Sequence, residues 1–188
     1  MNRIRECRYG LMIYNDKDIW VGRSLERYGE FSESEVRLFR EVIKPGSIVL
    51  DIGANIGCHT VAFSKIVGPG GRVFAFEPER INFNTLAGNI AINNLLNVYV
   101  SQQAVGASPG FICVPEIDHE LTDNMGGLSL CTDYSTVQHY AVHLVTLDLF
   151  SFPAVDFIKI DTEGMEKSAL DGARETILKF KPLALCRG

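Results

Sequence analysis

Hydrophobic residues in this chain form short continuous runs that alternate with segments of helical periodicity. The runs are rich in Val, Ile and Phe, which is typical of parallel strands whose two faces are covered by helices. They predict a doubly wound, mostly parallel sheet in a three-layer α/β/α fold. The predicted elements are strand 47–51, helix 57–67, strand 72–77, helix 80–93, strand 98–101, strand 156–161, helix 163–181 and strand 183–186.

The residues before this alternation predict a hairpin followed by a helix. The hairpin is expected from Leu11–Tyr14 and Ile19–Val21, because the turn-forming residues 15–18 separate the two apolar stretches. Ser32-x-x-Glu35 matches a capping box, in which each side chain accepts a hydrogen bond from the other residue's backbone amide. This box predicts the start of the helix.

A second irregular segment, residues 106–147, interrupts the alternation after the third parallel strand. Short β segments are predicted at 111–114, 128–131 and 140–147, separated by proline and glycine. We therefore expect a small β insertion in the α/β domain.

Composition limits which classes of partner the chain can bind and indicates its cellular compartment. Asp and Glu (23) outnumber Lys and Arg (18), and no basic block favours nucleic acid. No apolar run approaches the length of a membrane span, and the polar N-terminus lacks the apolar core of a signal peptide. The five cysteines are an odd number without a C-x-x-C pair, which indicates reduced thiols. We expect a cytoplasmic domain with no nucleic-acid partner and no membrane span.

The loop Asp51-Ile-Gly-Ala-Asn-Ile-Gly57 joins the first parallel strand to its helix, where open α/β sheets bind ligands. Gly53 permits a sharp turn, Asn55 tolerates a left-handed backbone, and Gly57 permits close packing. The spacing departs from the dinucleotide pattern G-x-G-x-x-G, and the loop has no Gly-Lys-Ser/Thr for phosphates.

Glu77 ends the next strand and is a second candidate for ligand binding. A carboxylate there can accept hydrogen bonds from both hydroxyls of a ribose, while Asp51 offers its charge to a cation. S-adenosylmethionine carries an ammonium, a sulfonium and a ribose but no phosphate, so it suits an acid-flanked loop better than a pyrophosphate does. The alternative is that both acids only cap helices and turns.

Motifs along most of the chain carry a family resemblance. They are Pro45-Gly-Ser-Ile-Val-Leu-Asp-Ile-Gly-Ala-Asn-Ile-Gly57, Val67-Gly-Pro-Gly-Gly-Arg-Val-Phe-Ala-Phe-Glu-Pro78, Asn94-Leu-Leu-Asn-Val98, Asp156-Phe-Ile-Lys-Ile-Asp-Thr-Glu-Gly-Met-Glu166 and Gly172-Ala173. From about residue 28 to 185 the chain resembles the FkbM-type family of S-adenosylmethionine-dependent methyltransferases. The resemblance implies a Rossmann-like class I methyltransferase fold and O-methylation of a sugar, polysaccharide or secondary metabolite.

The resemblance also implies binding roles. The methionine side of S-adenosylmethionine, and of its product S-adenosylhomocysteine, would be held by Asp51, Gly53, Ala54, Asn55 and Gly57, and the ribose by Glu77. Gln103 and Ala104 would lie near the adenine. Asn124 and Ser129 match a polar patch that would face the acceptor, although a plain turn accounts for them equally well.

By this reading residues 1–188 form one methyltransferase domain with four parts. They are an N-terminal hairpin and substrate segment (1–31), a cofactor-binding half (32–105), the β insertion (106–147) and a second half that ends after the fifth parallel strand (148–188).

Candidates for the chemistry follow the strand 156–161. Methyl transfer to a hydroxyl needs aligned reactants and a base that takes the proton. Asp161 and Glu163 stand at the sheet edge where that base is needed, and either could be the base. Lys159 lies in a covered strand, so we expect it to pair with a pocket acid. The alternatives are helix caps for the acids and a lysine stem that reaches water.

Histidines offer further candidates. His59 is an alternative base or substrate contact, against a capped or surface histidine. His139 and His143 have the spacing of a helical metal pair, but the valines around them favour a strand. Asp161 and Glu163 could begin a metal site, yet the sequence supplies no third ligand. We therefore expect metal independence.

The resemblance fails at the C-terminal end. Family members continue into a final helix and hairpin, and they carry an acid near the position of Cys186-Arg187. Without the hairpin the strand 183–186 would have a free apolar edge, which favours a homodimer. Two other functions stay open: a non-catalytic relative that binds the nucleoside, and an NAD-dependent Rossmann enzyme, which the glycine spacing opposes.

Overall fold

A computed structural model describes residues 1–117, 127 and 137–187 of the chain. The elements in these ranges are β1 (Asn2–Cys7), β2 (Gly10–Asn15), α1 (Val21–Tyr28), α2 (Glu33–Val42), β3 (Ile48–Ile52), α3 (Cys58–Val67), β4 (Arg72–Phe76), α4 (Arg80–Ile92), β5 (Val98–Ser101), β6 (Ala104–Val105), β7 (Gly110–Pro115), β8 (His139–Val145), a 3₁₀ helix (Leu147–Leu149), β9 (Phe157–Ile160), α5 (Glu166–Asp171), α6 (Arg174–Phe180) and β10 (Leu183–Cys186).

The central sheet has five parallel strands in the order β10-β9-β3-β4-β5. From β3 the chain builds outward through β4 to β5, and it later returns to the other side of β3 to add β9 and β10. The strand order therefore reverses between β3 and β9, and the loops that leave their carboxyl ends diverge to open a crevice. The predicted doubly wound α/β fold is confirmed.

Alternate residues of the central strands enter two separate cores. Val49, Val73 and Phe157 lie on the face that α2 and α3 cover. Leu50 and Ile158 lie on the opposite face, against α5 and the 3₁₀ helix. Because both faces are covered, the central strands β3 and β9 are buried on both sides, which accounts for their continuous hydrophobic runs.

The N-terminal hairpin exists, but the predicted position of its turn is wrong. β1 and β2 pair from Asn2 opposite Asn15 to Cys7 opposite Gly10, so the turn lies at residues 8–9. Residues 15–18 instead lead into α1. The side chain of Asn89 on α4 both accepts from Ile13 N (2.6 Å) and donates to Ile13 O (3.1 Å). This amide pairs with β2 as a strand would and holds the hairpin against α4.

Two other local predictions are corrected. The Ser32 hydroxyl donates to the Glu35 carboxylate (2.5 Å), so the two side chains bind each other instead of the backbone amides of a capping box. The single helix predicted over 163–181 is two helices, α5 and α6, with Gly172 between them. A Cβ at Gly172 would lie 1.9 Å from the Gly106 carbonyl oxygen, so this close approach of backbones requires glycine.

The predicted β insertion is confirmed in part. β6, β8 and β7 form a three-stranded sheet in that order. The predicted segment 128–131 lies outside the described residues.

Several predictions about surface and environment stay predictions. In the described part of the chain, no helix is both long and apolar enough to cross a membrane. Leu183 on β10 is 56 % exposed, and β10 pairs only with β9 among the described strands. The homodimer through this edge and the cytoplasmic location are not tested by the structure.

The packing of α2 yields a stability prediction. Phe39 is fully buried against Phe63 (4.9 Å between ring centroids) and Phe157 (5.5 Å). We expect Phe39→Ala to lower the free energy of unfolding by about 3–5 kcal/mol, because it leaves a cavity. The control Leu38→Ala removes an exposed side chain and should change it by less than about 0.5 kcal/mol. Urea unfolding measures both, and equal losses would contradict this core assignment.

Candidate active site

A cavity of about 810 Å³ opens at the carboxyl edge of the central sheet. Its walls are the loops after β3, β4 and β9 together with residues from α1 and the segment before α2. Its position is the point where the strand order reverses, which is where this class of sheet binds ligands. The volume is in the range of small-molecule and cofactor sites.

The loop after β3 is shaped by residues with a left-handed backbone. Gly53 has φ 75°, and a Cβ there would lie 1.9 Å from the Asp161 carbonyl oxygen. Asn55 has φ 52°, a conformation that asparagine tolerates better than most residues. Gly57 (φ 90°) lies behind the cavity, where a Cβ would meet Leu86 at 2.6 Å. The loop therefore presents backbone to the cavity at Gly53 and packs closely behind it at Gly57.

Glu77 connects this loop to the loop after β4. Its buried carboxylate accepts hydrogen bonds from Asn55 N (2.7 Å) and Glu79 N (3.0 Å). Burial raises the pKa of Glu77 to about 7, although the two amide donors act in the opposite direction. A carboxylate has further lone pairs, so Glu77 can still accept from hydroxyl groups of a ligand in the cavity.

Asp51 and Lys159 form a buried ion pair across β3 and β9, where they are direct neighbours in the ladder. Lys159 Nζ donates to Asp51 Oδ1 (3.2 Å) and Gly53 O (3.2 Å), and the Thr60 hydroxyl donates to Asp51 Oδ2 (2.7 Å). Burial disfavours the ammonium, but the carboxylates of Asp51 and Asp161 outweigh it and raise the pKa of Lys159. Lys159 thus pairs with an acid, as expected.

This pairing corrects the expectation that Asp51 offers its charge to a bound cation. Asp51 is fully buried and does not line the cavity, whereas Lys159 does. Its cation is an internal one, because Lys159 lies opposite it in the sheet.

Asp161 and Glu163 follow β9 in the cavity wall. Asp161 Oδ2 lies 3.6 Å from Lys159 Nζ and 3.8 Å from Arg187 Nη1. Glu163 has a left-handed backbone (φ 50°) and is exposed. Desolvation of the partly covered carboxyl and the charges of Asp161 and Glu166 raise the pKa of Glu163. The two predicted acids therefore share one wall in different surroundings.

His59 lines the cavity but is 6 % exposed, with its ring at 5.3 Å from Phe39 and 5.9 Å from Phe31. Burial lowers the pKa of His59 to about 4, so the imidazole is neutral at neutral pH. Its Nε2 lies 3.5 Å from Glu35 Oε2 and has no hydrogen-bond partner. Burial beside these aromatic rings therefore sets the protonation state of His59, which is not a surface residue.

The remaining predicted site residues divide into two groups. Ala54, Gln103 and Ala104 line the cavity. Asn124 and Ser129 lie outside the described residues. The cavity also includes residues that the sequence analysis did not select as site residues, namely Trp20, Phe31, Glu79, Asn82 and Arg187. The Glu79 carboxylate caps α4 by accepting from Asn82 N (2.6 Å). Its position two residues after Glu77 could have identified it from the sequence as a further residue of the cavity wall.

Carboxylates outnumber cations along the described cavity wall. The acids are Glu77, Glu79, Asp161, Glu163 and Glu166, and the cations are Lys159 and Arg187. Such a wall favours a cationic or neutral ligand over a polyanion. Within the described ranges no cluster of three or more His, Cys, Asp or Glu side chains is placed to hold a metal ion, and metal independence stays a prediction.

Comparisons with known proteins agree with this architecture. The profile of the methyltransferase FkbM domain matches residues 51–185. The 31-O-demethyl-FK506 methyltransferase FkbM of Streptomyces tacrolimicus is 38% identical over 68 residues, which are 36% of this chain and 25% of that protein. The chain thus spans only part of its relatives' length.

Two solved structures share the fold. A methyltransferase FkbM from Methylobacillus flagellatus KT has a TM-score of 0.54 at 24% identity, covering 81% of this chain and 40% of that one. A putative rRNA-methylase from Clostridium thermocellum has a TM-score of 0.50 at 13% identity, covering 79% and 62%. At these identities the likeness concerns the fold alone.

The buried ion pair yields a second stability prediction. We expect Lys159→Met to lower the free energy of unfolding by about 3–5 kcal/mol, because Asp51 then remains buried without its cation. The double variant Asp51→Leu/Lys159→Met removes both charges and should be more stable than Lys159→Met alone. Urea unfolding of the three chains measures this. A double variant no more stable than the single one would show that the charge of Asp51 is not what Lys159 compensates.

Proposed function

The chain belongs to the FkbM methyltransferase family, and from this premise we propose that it is an S-adenosylmethionine-dependent O-methyltransferase. The acceptor is a hydroxyl of a sugar, polysaccharide or secondary metabolite, the base is a carboxylate, and no metal takes part. The observation that carries the proposal is Glu77, a buried carboxylate that joins the loops after β3 and β4 at the carboxyl edge of the sheet.

The residues in the cavity fit S-adenosylmethionine. Glu77 keeps lone pairs for the ribose hydroxyls, and the backbone of Gly53–Asn55 faces the space beside it. The acidic wall suits the positive charge of the ammonium and sulfonium groups. Gln103 and Ala104 line the same cavity and would be near the adenine. When bound, the cofactor supplies an electrophilic methyl group on a sulfonium.

Transfer to oxygen is favoured by the acids on the opposite wall. A hydroxyl must lose a proton as it is methylated, and Asp161 and Glu163 can orient it and take that proton. The relative from S. tacrolimicus is named as an O-demethyl-FK506 methyltransferase, which supports an oxygen acceptor. A polyanion such as RNA is opposed by the acidic wall and by the net charge of −5.

A cytoplasmic location is part of the proposal. It is supported by the described cysteines, Cys7, Cys58, Cys113 and Cys186, which are all free thiols.

Loss of cofactor binding in a Glu77 variant tests the proposal. We expect the parent to bind S-adenosylhomocysteine with micromolar affinity in calorimetry, and Glu77→Ala to lose measurable binding, because the ribose hydroxyls lose their acceptor. The control Glu41→Gln removes an exposed acid of α2 outside the described cavity wall and should bind as the parent does. Undiminished binding by a folded Glu77→Ala would refute the ribose role of this residue.

Cofactor affinity should also depend on pH. Burial raises the pKa of Glu77 to about 7, so below this pH the carboxyl of the free protein is protonated. Binding through the carboxylate then releases a proton, and affinity for S-adenosylhomocysteine should fall by up to about tenfold per pH unit below about pH 7. Calorimetry between about pH 8 and pH 5.5 measures this dependence. Glu77→Gln, which cannot titrate, should show a flatter profile, and parallel profiles would contradict this linkage.

A further inference from the structure

We propose that Glu163 is the residue that takes the proton from the acceptor hydroxyl, while Asp161 orients that hydroxyl. The inference rests on the proposed O-methyltransferase function and decides between two acids that the sequence leaves equivalent.

Asp161 is already engaged with two cations. Its Oδ2 lies 3.6 Å from Lys159 Nζ and 3.8 Å from Arg187 Nη1, and its side chain is 24 % exposed. A carboxylate held in place by two cations is suited to orient the acceptor by accepting a hydrogen bond from its hydroxyl.

Glu163 is in the opposite situation. Among the described residues its carboxylate makes no hydrogen bond and no ion pair, although it lines the same cavity. The charged groups that act on it are Asp161, Glu166 and Arg187. Partial desolvation and the two acids outweigh Arg187 and raise the pKa of Glu163, which strengthens it as a base.

The turn that presents Glu163 is held in an unusual conformation. Glu163 has φ 50° without being glycine, and Gly164 follows with φ 110°. The Glu166 carboxylate fixes this turn, because it accepts from Thr162 N (3.0 Å), from the Thr162 hydroxyl (3.1 Å) and from Gly164 N (3.0 Å). Left-handed backbone at a non-glycine residue is costly and occurs preferentially at functional sites. Glu166 is therefore a positioning residue for Glu163.

Methylation and deprotonation of the acceptor hydroxyl are coupled in the proposed step. The acceptor oxygen forms a bond to the transferred methyl carbon as the carbon–sulfur bond breaks, and that electron pair stays on sulfur, which becomes a neutral thioether. The hydroxyl proton passes to the Glu163 carboxylate and then to solvent, to which Glu163 is exposed.

The first test needs neither cofactor nor acceptor. Carbon-13 NMR of side-chain carboxyls, assigned with Glu163→Gln, follows the titration of Glu163 in the full chain. We expect Glu163 to titrate above the ordinary range of glutamate carboxyls, and Asp161→Asn to lower its pKa by removing a neighbouring negative charge. Titration of Glu163 within or below the ordinary range of glutamate carboxyls, or no response to Asp161→Asn, would overturn the proposal.

The second test measures transfer from S-adenosylmethionine to methyl hexopyranosides, used as hydroxyl probes. Glu163→Gln should lower kcat by about 10²–10⁴-fold with little change in KM, and Asp161→Asn should mainly raise KM. The pH dependence of kcat should flatten in Glu163→Gln. Parental kcat in that variant would overturn the assignment.

Binding of S-adenosylhomocysteine separates the two levels of failure. We expect both variants to bind it as the parent does, since neither removes Glu77. A folded parent that does not bind it would refute the proposed function itself, whereas normal binding with undiminished transfer by Glu163→Gln refutes only the assignment of the base. If none of the hexopyranosides is methylated by the parent, the NMR titration decides.

Discussion

The loops at the carboxyl edge of the central sheet depend on the buried ion pair between Asp51 and Lys159. The two residues are neighbours across β3 and β9, where the strand order reverses. Burial of two charges is costly unless further hydrogen bonds satisfy them, and here Thr60 and the Gly53 carbonyl do so. The effect of the pair is structural. It holds the loop after β3 against β9, the strand that precedes Asp161.

Three carboxylates of the cavity wall, Glu77, Asp161 and Glu163, lie in different surroundings. Glu77 is buried and accepts two backbone amides, Asp161 lies between two cations, and Glu163 has neither kind of partner among the described residues. Surroundings rather than residue type set proton affinity. The same functional group can therefore hold a ribose, orient a hydroxyl or accept a proton, and we assign these three roles to the three residues.

The cavity is lined both by residues inside the range that matches the family and by residues outside that range. Residues 51–185 match the family, and they supply the ligand loop and the acids. Trp20, Phe31 and Arg187 line the same space from outside that range. If the proposed roles hold, acceptor choice is expected to depend on such outer residues, because the inner ones would bind the cofactor and take part in the transfer.

Local pattern was sufficient for the parallel sheet and for the ligand loop. Short continuous apolar runs predict strands, and the predicted bounds 98–101 and 183–186 agree with β5 and β10 residue for residue. The left-handed positions at Gly53 and Asn55 are likewise a local requirement that residue type reveals.

Other features depend on contacts between segments far apart in the chain, which only the tertiary structure shows. The position of the N-terminal hairpin depends on Asn89, far along the chain, and the break between α5 and α6 depends on the approach of the Gly106 carbonyl to Gly172. The partner of Asp51 and the two cations beside Asp161 are equally non-local. Periodicity shows which side of an element is buried, but only the packing of distant segments determines which group lies opposite it, and that neighbour sets charge, strain and proton affinity.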